Sequence, residues 1–202
     1  MVDIYLSDIT NLPDPKEQPG LLEQISKERR EKIEKMSQSK SRRQSLGAGL
    51  LLNKALSCHG LRSEDVYLDE NGKPAIQGLC FNLSHTGELV ICVTNENPVG
   101  CDVEQIKKAP PRLVERYFCE GEKQYLSQFA GDEYDREFYR LWTMKESYMK
   151  YTGEGMRLAL NKFEIQIQNE VRVVRDGVIQ PCIFKEYDVP GYCVTVCITD
   201  EQ

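Results

Sequence analysis

The sequence predicts an α+β protein assembled from two mixed halves. Three observations predict it. Short apolar runs of strand length recur from the first residues to the last. Amphipathic stretches of helical period fall between them in both halves. Turn signals such as Asn71-Gly72 separate neighbouring extended segments. Helices and strands are interleaved without a regular alternation, which fits α+β.

In chain order, a first strand is expected near Val2–Leu6, then helices over 21–36 and 42–57. The second helix repeats apolar residues at Leu46, Leu50, Leu51 and Leu52, followed by Ala55 and Leu56. Phe81–Leu83 and Leu89–Thr94 read as strands around a polar turn. The second half opens with an extended run, Val99–Ile106, ahead of Pro110-Pro111. Helices are expected over roughly 112–129 and 134–150, with a break near Gly131. Strands follow near Phe163–Gln168, Val171–Val174, Cys182–Tyr187 and Tyr192–Ile198. No residue-level repeat relates the halves.

A chain of 202 residues is long enough for one large domain or two small ones. Its hydrophobic fraction of 40% and charged fraction of 29% are those of a globular protein, not a disordered one. No apolar run is long enough to cross a bilayer. The start lacks a basic stretch followed by an apolar block, so a secretory signal is not expected and a cytoplasmic location is. Eight scattered cysteines, none spaced Cys-x-x-Cys, read as free thiols, several of them buried. Two histidines, neither in ligand spacing with cysteines, disfavour zinc.

The net charge of −6 argues against a general nucleic-acid binder. Bases are nevertheless concentrated in residues 27–43, where eight face three acids. That segment fits a solvated helical face, and equally a local anion site on an acidic protein.

Four short segments carry possible chemistry. In Gly100-Cys101-Asp102-Val103-Glu104, strand alternation puts Asp102 and Glu104 on one face and sends Cys101 and Val103 into the core. Paired carboxylates repel unless a cation or proton separates them, and an oxygen-rich pair suits Mg²⁺. Two solvated acids at a strand end fit as well. In Trp142-Thr143-Met144-Lys145-Glu146-Ser147-Tyr148-Met149-Lys150, Glu146 precedes Lys150 by four, the favourable order for a surface ion pair. The same segment offers a third carboxylate and, in Lys145 and Lys150, two phosphate partners. Phe81-Asn82-Leu83-Ser84-His85-Thr86-Gly87 reads as a strand end and turn whose N–H groups, Ser84 hydroxyl and His85 ring can donate to a phosphate. A capped turn without function is the alternative. Lys73 adds a cation beside the Asn71-Gly72 turn, and Gly153-Glu154-Gly155 ends the long helix.

Taken together, these segments resemble the 4′-phosphopantetheinyl transferase family. The resemblance rests on Gly72-Lys73-Pro74, Phe81-Asn82-Leu83-Ser84-His85, Gly100-Cys101-Asp102-Val103-Glu104, Trp142 to Lys150 and Gly153-Glu154-Gly155, in that order, and runs through about residues 20 to 200. It is narrowest with the single-chain, broad-specificity type that activates surfactin synthetase.

The family implies a pseudo-dimer of two similar α/β halves, here 1–98 and 99–202, with the active site in the cleft between them. It implies transfer of phosphopantetheine from coenzyme A to a serine of an acyl, peptidyl or aryl carrier protein, giving 3′,5′-ADP. By position it implies Mg²⁺ on Asp102, Glu104 and Glu146, with Glu146 also discussed as general base. Catalytic roles fall on Glu146, Asp102 and Lys150. Coenzyme A contacts fall on Arg43, Lys73, Ser84, His85, Lys145 and Lys150. A further basic pair could be Arg29 with Lys32, or Lys27 with Arg30. Glu122 matches a secondary acid. A monomer is implied, with no nucleic-acid or membrane partner. Two other classes fit the isolated signals: a Mg²⁺ enzyme acting on another pyrophosphate, such as a nucleotide hydrolase, and a non-catalytic module that binds coenzyme A or a carrier.

Overall fold

The computed structural model describes residues 1–70 and 72–200, with Met156 in its backbone alone. The chain divides into two units, one from Met1 to Glu96 and one from Asn97 onward.

The first unit runs β1 (Asp3–Asp8), α1 (Lys27–Glu34), α2 (Ser39–Cys58), β2 (Tyr67–Leu68), β3 (Pro74–Ala75), β4 (Cys80–Thr86) and β5 (Leu89–Asn95). β1, β5 and β4 form an antiparallel sheet in that order, with Tyr5 opposite Cys92 and Leu83 opposite Cys92 from the other side. Every residue of the central strand β5 is buried. α2 covers the sheet with Ala48, Leu51, Leu52 and Leu56, which join Val90 and Cys92 in one apolar cluster. Burial pushes the Cys92 thiol up to about 12, as expected of a structural thiol.

The second unit runs β6 (Val99–Gln105), α3 (Pro111–Tyr117), α4 (Glu120–Leu126), α5 (Gly131–Thr152), β7 (Phe163–Ile167), β8 (Val171–Arg175), β9 (Val178–Ile179), β10 (Cys182–Val189) and β11 (Tyr192–Thr199). β6, β11 and β10 form the antiparallel sheet, with Asp102 opposite Thr195 and Val196 opposite Cys101. β7, β8 and β9 make a second sheet. α5 lies on β6 and β11, and its other side packs Phe138, Leu141, Met144 and Tyr148 against Phe118 and Phe163. Gly153 ends it with a positive φ of 72°.

The architecture is α+β, and the two units repeat one topology. Each has a first strand, a long helix, a small β insert and a closing two-residue hairpin paired back to the first strand. The hairpin turns use different chemistry. Gly87, with φ 56°, takes the first central position of one, whereas Pro190 and Gly191, with φ 78° at the glycine, fill the other.

Several expected boundaries move. The helix expected over 21–36 is a 3₁₀ turn at Pro19–Gln24 followed by α1, whose first turn is capped by the Ser26 hydroxyl accepting from Arg29 N. The helix expected over 112–129 is broken at Phe118-Cys119 into α3 and α4. Cys119 caps α4, and Glu122 reaches back to accept from Cys119 N at 2.7 Å. The Ser84–Gly87 turn is shorter than expected, because β4 continues through Thr86. The Asn71 end of the Asn71-Gly72 turn lies outside the described residues, and Gly72 has φ 74°.

Candidate active site

β6 brings the paired acids to α5. Alternation places Gly100, Asp102 and Glu104 on one face of the strand, and that face is turned to the helix. A Cβ on Gly100 would lie 2.0 Å from Ser147 O and 2.4 Å from Tyr151 N, so the helix backbone rests directly on this strand. The opposite face, with Cys101 and Val103, is also fully buried. Asp102 is therefore not a solvated acid at a strand end, being only 4% exposed.

Lys150 Nζ donates to Asp102 Oδ1 at 2.6 Å. Burial opposes the Lys150 ammonium, but the Asp102 carboxylate and then other neighbours outweigh it and hold its pKa above the usual lysine range. Glu146, half-buried, lies close enough to Asp102 to feel its charge. Burial first, and Asp102 second, push Glu146 above the usual carboxylate range, and Lys150 offsets part of this. Lys150 meets Asp102 of β6 and also acts on Glu146, which is more than the surface pair that the spacing suggests.

Glu104 sits nearer the N-terminal end of α5, where its charge, after burial, raises the Tyr139 phenol. Among the described residues, no three His, Cys, Asp or Glu side chains are gathered closely enough to hold a metal ion as a closed cage. A pair of oxygen donors still fits Mg²⁺, which keeps several waters and is bound through one or two carboxylates plus substrate phosphates.

Lys145 differs from expectation. It is fully buried, and Nζ donates to Glu122 Oε1 at 2.5 Å and to Phe163 O at 2.8 Å. The ammonium also lies 4.5 Å from the centre of the Phe163 ring. Its charge is spent inside the protein, so it does not face a phosphate. Glu122 is equally buried and accepts from Lys145, Cys119 N and Ile165 N. Burial pushes Glu122 up and Lys145 down, and their mutual attraction opposes both shifts.

Arg43 also departs from the reading of a phosphate partner. Its Nε donates to Leu12 O and its Nη2 to Ile9 O, Thr10 O and Glu88 Oε2, tying the loop after β1 to α2. The neighbouring Arg42 makes a buried pair with Asp14. Ser84 and His85 stand on the regular part of β4, opposite Ile91 and Val90, so they point to opposite faces; Ser84 is buried and His85 exposed. Their backbone belongs to a ladder, not to a phosphate-cradling turn.

The first unit does contain an anion-compatible pocket. Arg29 and Lys32, one helical turn apart on α1, line a cavity of about 580 Å³ with Glu28, Tyr67, Leu68, Gly72 and Pro74, so two bases face one acid there. Lys73 lies between the last two in sequence and is half-buried. Lys27 instead points to Glu31 at the surface and is 82% exposed. Of the two basic pairs that the sequence allows, Arg29 with Lys32 lines this pocket.

Comparisons with known proteins show the family. The profile of the 4′-phosphopantetheinyl transferase superfamily matches residues 98–197. The chain is 34% identical over 182 residues to 4′-phosphopantetheinyl transferase Sfp of Bacillus subtilis, covering 86% of this chain and 81% of that one. It is 29% identical over 203 residues to 4′-phosphopantetheinyl transferase gsp of Aneurinibacillus migulanus, covering 98% and 86%. A solved holo-(acyl-carrier-protein) synthase from Bacillus anthracis superposes on 50% of this chain and 94% of its own, at 16% identity and a TM-score of 0.44.

Proposed function

We propose that the chain, which belongs to the 4′-phosphopantetheinyl transferase family and transfers 4′-phosphopantetheine from coenzyme A to a carrier-protein serine, giving 3′,5′-ADP, does so at the Asp102–Glu146–Lys150 cluster with Mg²⁺. The observation that carries this assignment is the meeting of two carboxylates and one lysine where α5 rests on Gly100.

Asp102 and Glu146 would hold the metal, with Glu104, on the same face of β6, reaching it through a bound water. Bound Mg²⁺ would neutralise charge on the pyrophosphate oxygens. Glu146, beside Asp102 where α5 meets β6, would accept the proton of the attacking serine hydroxyl. The serine oxygen bonds to the phosphorus nearer the pantetheine, and the bond from that phosphorus to the oxygen of 3′,5′-ADP breaks. Lys150, held as a cation, would stabilise the charge that grows on the leaving phosphate.

In the first unit, Arg29 and Lys32 would take the 3′-phosphate end of coenzyme A, with Lys73 beside them and His85 and Ser84 as further phosphate contacts. The reading leaves Arg43 and Lys145 out of the contacts, Lys145 because it is enclosed with Glu122 and Arg43 because its Nε and Nη2 hold the loop after β1. The reading divides the chain near residue 98. It leaves acyl, peptidyl and aryl carriers all as acceptors and has the chain act as a cytoplasmic monomer.

Intact-protein mass spectrometry of an apo-carrier with this chain and coenzyme A tests the proposal. A gain of one phosphopantetheine that needs Mg²⁺ and disappears with EDTA is expected. A gain that persists in EDTA would remove the metal from the site.

A further inference from the structure

Lys145 and Glu122 are both fully buried, and their side chains bond to each other and to the backbone of β7. The pair joins three elements that are distant in sequence. Glu122 caps α4 through Cys119 N and accepts from Ile165 N on β7. Lys145, on α5, adds Phe163 O, the first residue of β7. Cys119 closes the same spot, its thiol donating to Phe163 O at 3.2 Å.

α5 has two working sides. Thr143, Ser147 and Lys150 meet β6 and β11: Thr143 Oγ1 bonds Thr195 Oγ1 at 2.8 Å, Ser147 lies on Gly100, and Lys150 bonds Asp102. Phe138, Leu141, Lys145 and Tyr148 meet the Phe118–Phe163 side. Apolar contacts on that second side tolerate small rotations of the helix. An ammonium held by two oxygens tolerates them poorly. Successive helix residues are about 100° apart, so fixing Lys145 fixes the direction of Glu146.

We propose that the buried Glu122–Lys145 pair is a positioning device for the reaction: it sets the rotation of α5, and thereby where Glu146 stands relative to Asp102. Lys145 and Glu122 are positioning residues; neither meets coenzyme A. The inference rests on the site assignment above.

A replacement that restores packing without charge separates positioning from mere stability, since apolar pairs of similar volume often replace buried ion pairs with no loss of stability. Lys145→Met and the double variant Glu122→Leu/Lys145→Met are compared with the parent. The measurements are melting temperature, coenzyme A affinity by calorimetry, kcat and KM, and amide hydrogen exchange over residues 141–150. Should Lys145→Met fail to fold, Glu122→Gln takes its place. In the double variant, melting returns to the parental value while kcat stays at least about tenfold down, following the near-attack cost of misplacement. Its coenzyme A affinity stays within about twofold, and exchange over 141–150 quickens. A kcat that recovers with melting temperature would reduce the pair to stability and overturn the proposal. So would a weakened coenzyme A affinity with kcat retained, which would make Lys145 a phosphate ligand. Unchanged exchange over 141–150 in the variants overturns it even without any turnover data. An inactive parent chain would instead fail the site assignment, and the exchange measurement would still decide whether the pair anchors α5.

Discussion

In residues 1–96 a first strand, a long helix, a small β insert and a closing hairpin make the sheet order β1-β5-β4; in the residues from 97 on, the same succession makes β6-β11-β10. The difference lies where the long helix meets the sheet. In the first unit, α2 offers small and aliphatic residues, and Tyr5 of the first strand joins their apolar cluster. In the second, the first strand offers Gly100, Asp102 and Glu104, and α5 answers with Ser147, Glu146 and Lys150. A shared topology therefore sets out two scaffolds, one of which carries acids between its long helix and first strand while the other sets bases, at Arg29 and Lys32, around a pocket. Burying charge is expensive unless it is paired, and the second unit pairs both its buried lysine and its buried aspartate.

The sharpest way to break this contrast is Gly100→Ala. The added Cβ meets helix backbone, which cannot swing aside as a side chain can. Overpacking of this kind costs about 3 kcal/mol, and it should lift α5 from β6 and lose transfer with stability. Denaturant unfolding and turnover read on the same sample check it; a stable, active variant would mean that the helix does not need this contact.

Lys150→Ala should come next, raising KM for coenzyme A about tenfold, the worth of one charge-assisted contact. Arg43→Ala should leave that KM unchanged, because its donors hold the loop after β1. Equal effects of the two substitutions would erase the division between a site lysine and a scaffold arginine.

Asp14→Asn is the smallest and belongs wholly to the first unit. Hydrogen bonds from Arg42 first, then from Ser39 and Lys16 N, hold the Asp14 carboxyl below its usual range. A depressed folded-state pKa stabilises at pH above the unfolded carboxylate value of about 4, and that stability is lost as pH falls toward the folded value. The variant should melt below the parent at neutral pH, with the gap narrowing in acid and transfer preserved. A gap independent of pH would deny the ion pair its role.

Much of this was legible in the residues alone. Alternation put Asp102 and Glu104 on one face, and the apolar spacing of residues 134–150 marked α5. Strands β7, β8, β10 and β11 were expected within two residues of where they lie, since branched and aromatic runs bounded by turns define them. What escaped depended on tertiary contacts. Cysteine is not among the strong capping residues, so the break at Phe118-Cys119 carried no local signal. Glu122 and Lys145 meet across 23 positions, and nothing in either segment announces the other. A basic residue facing solvent and one held by acceptors inside the fold look alike in sequence, so the resemblance that placed phosphate contacts on Arg43 and Lys145 could not show that Lys145 is enclosed with Glu122. Ser84 and His85 read as a turn because polar residues rarely continue a strand, yet pairing with Ile91 and Val90 carries β4 through them.

The most direct measurement is single-turnover release of 3′,5′-ADP by Asp102→Ala beside the parent, across a Mg²⁺ titration, with circular dichroism confirming the fold. The account predicts a folded variant slowed by about 10³-fold, the scale of losing one preorganised electrostatic contact, at every Mg²⁺ concentration. A folded Asp102→Ala protein with near-parental rates at limiting Mg²⁺ would contradict it.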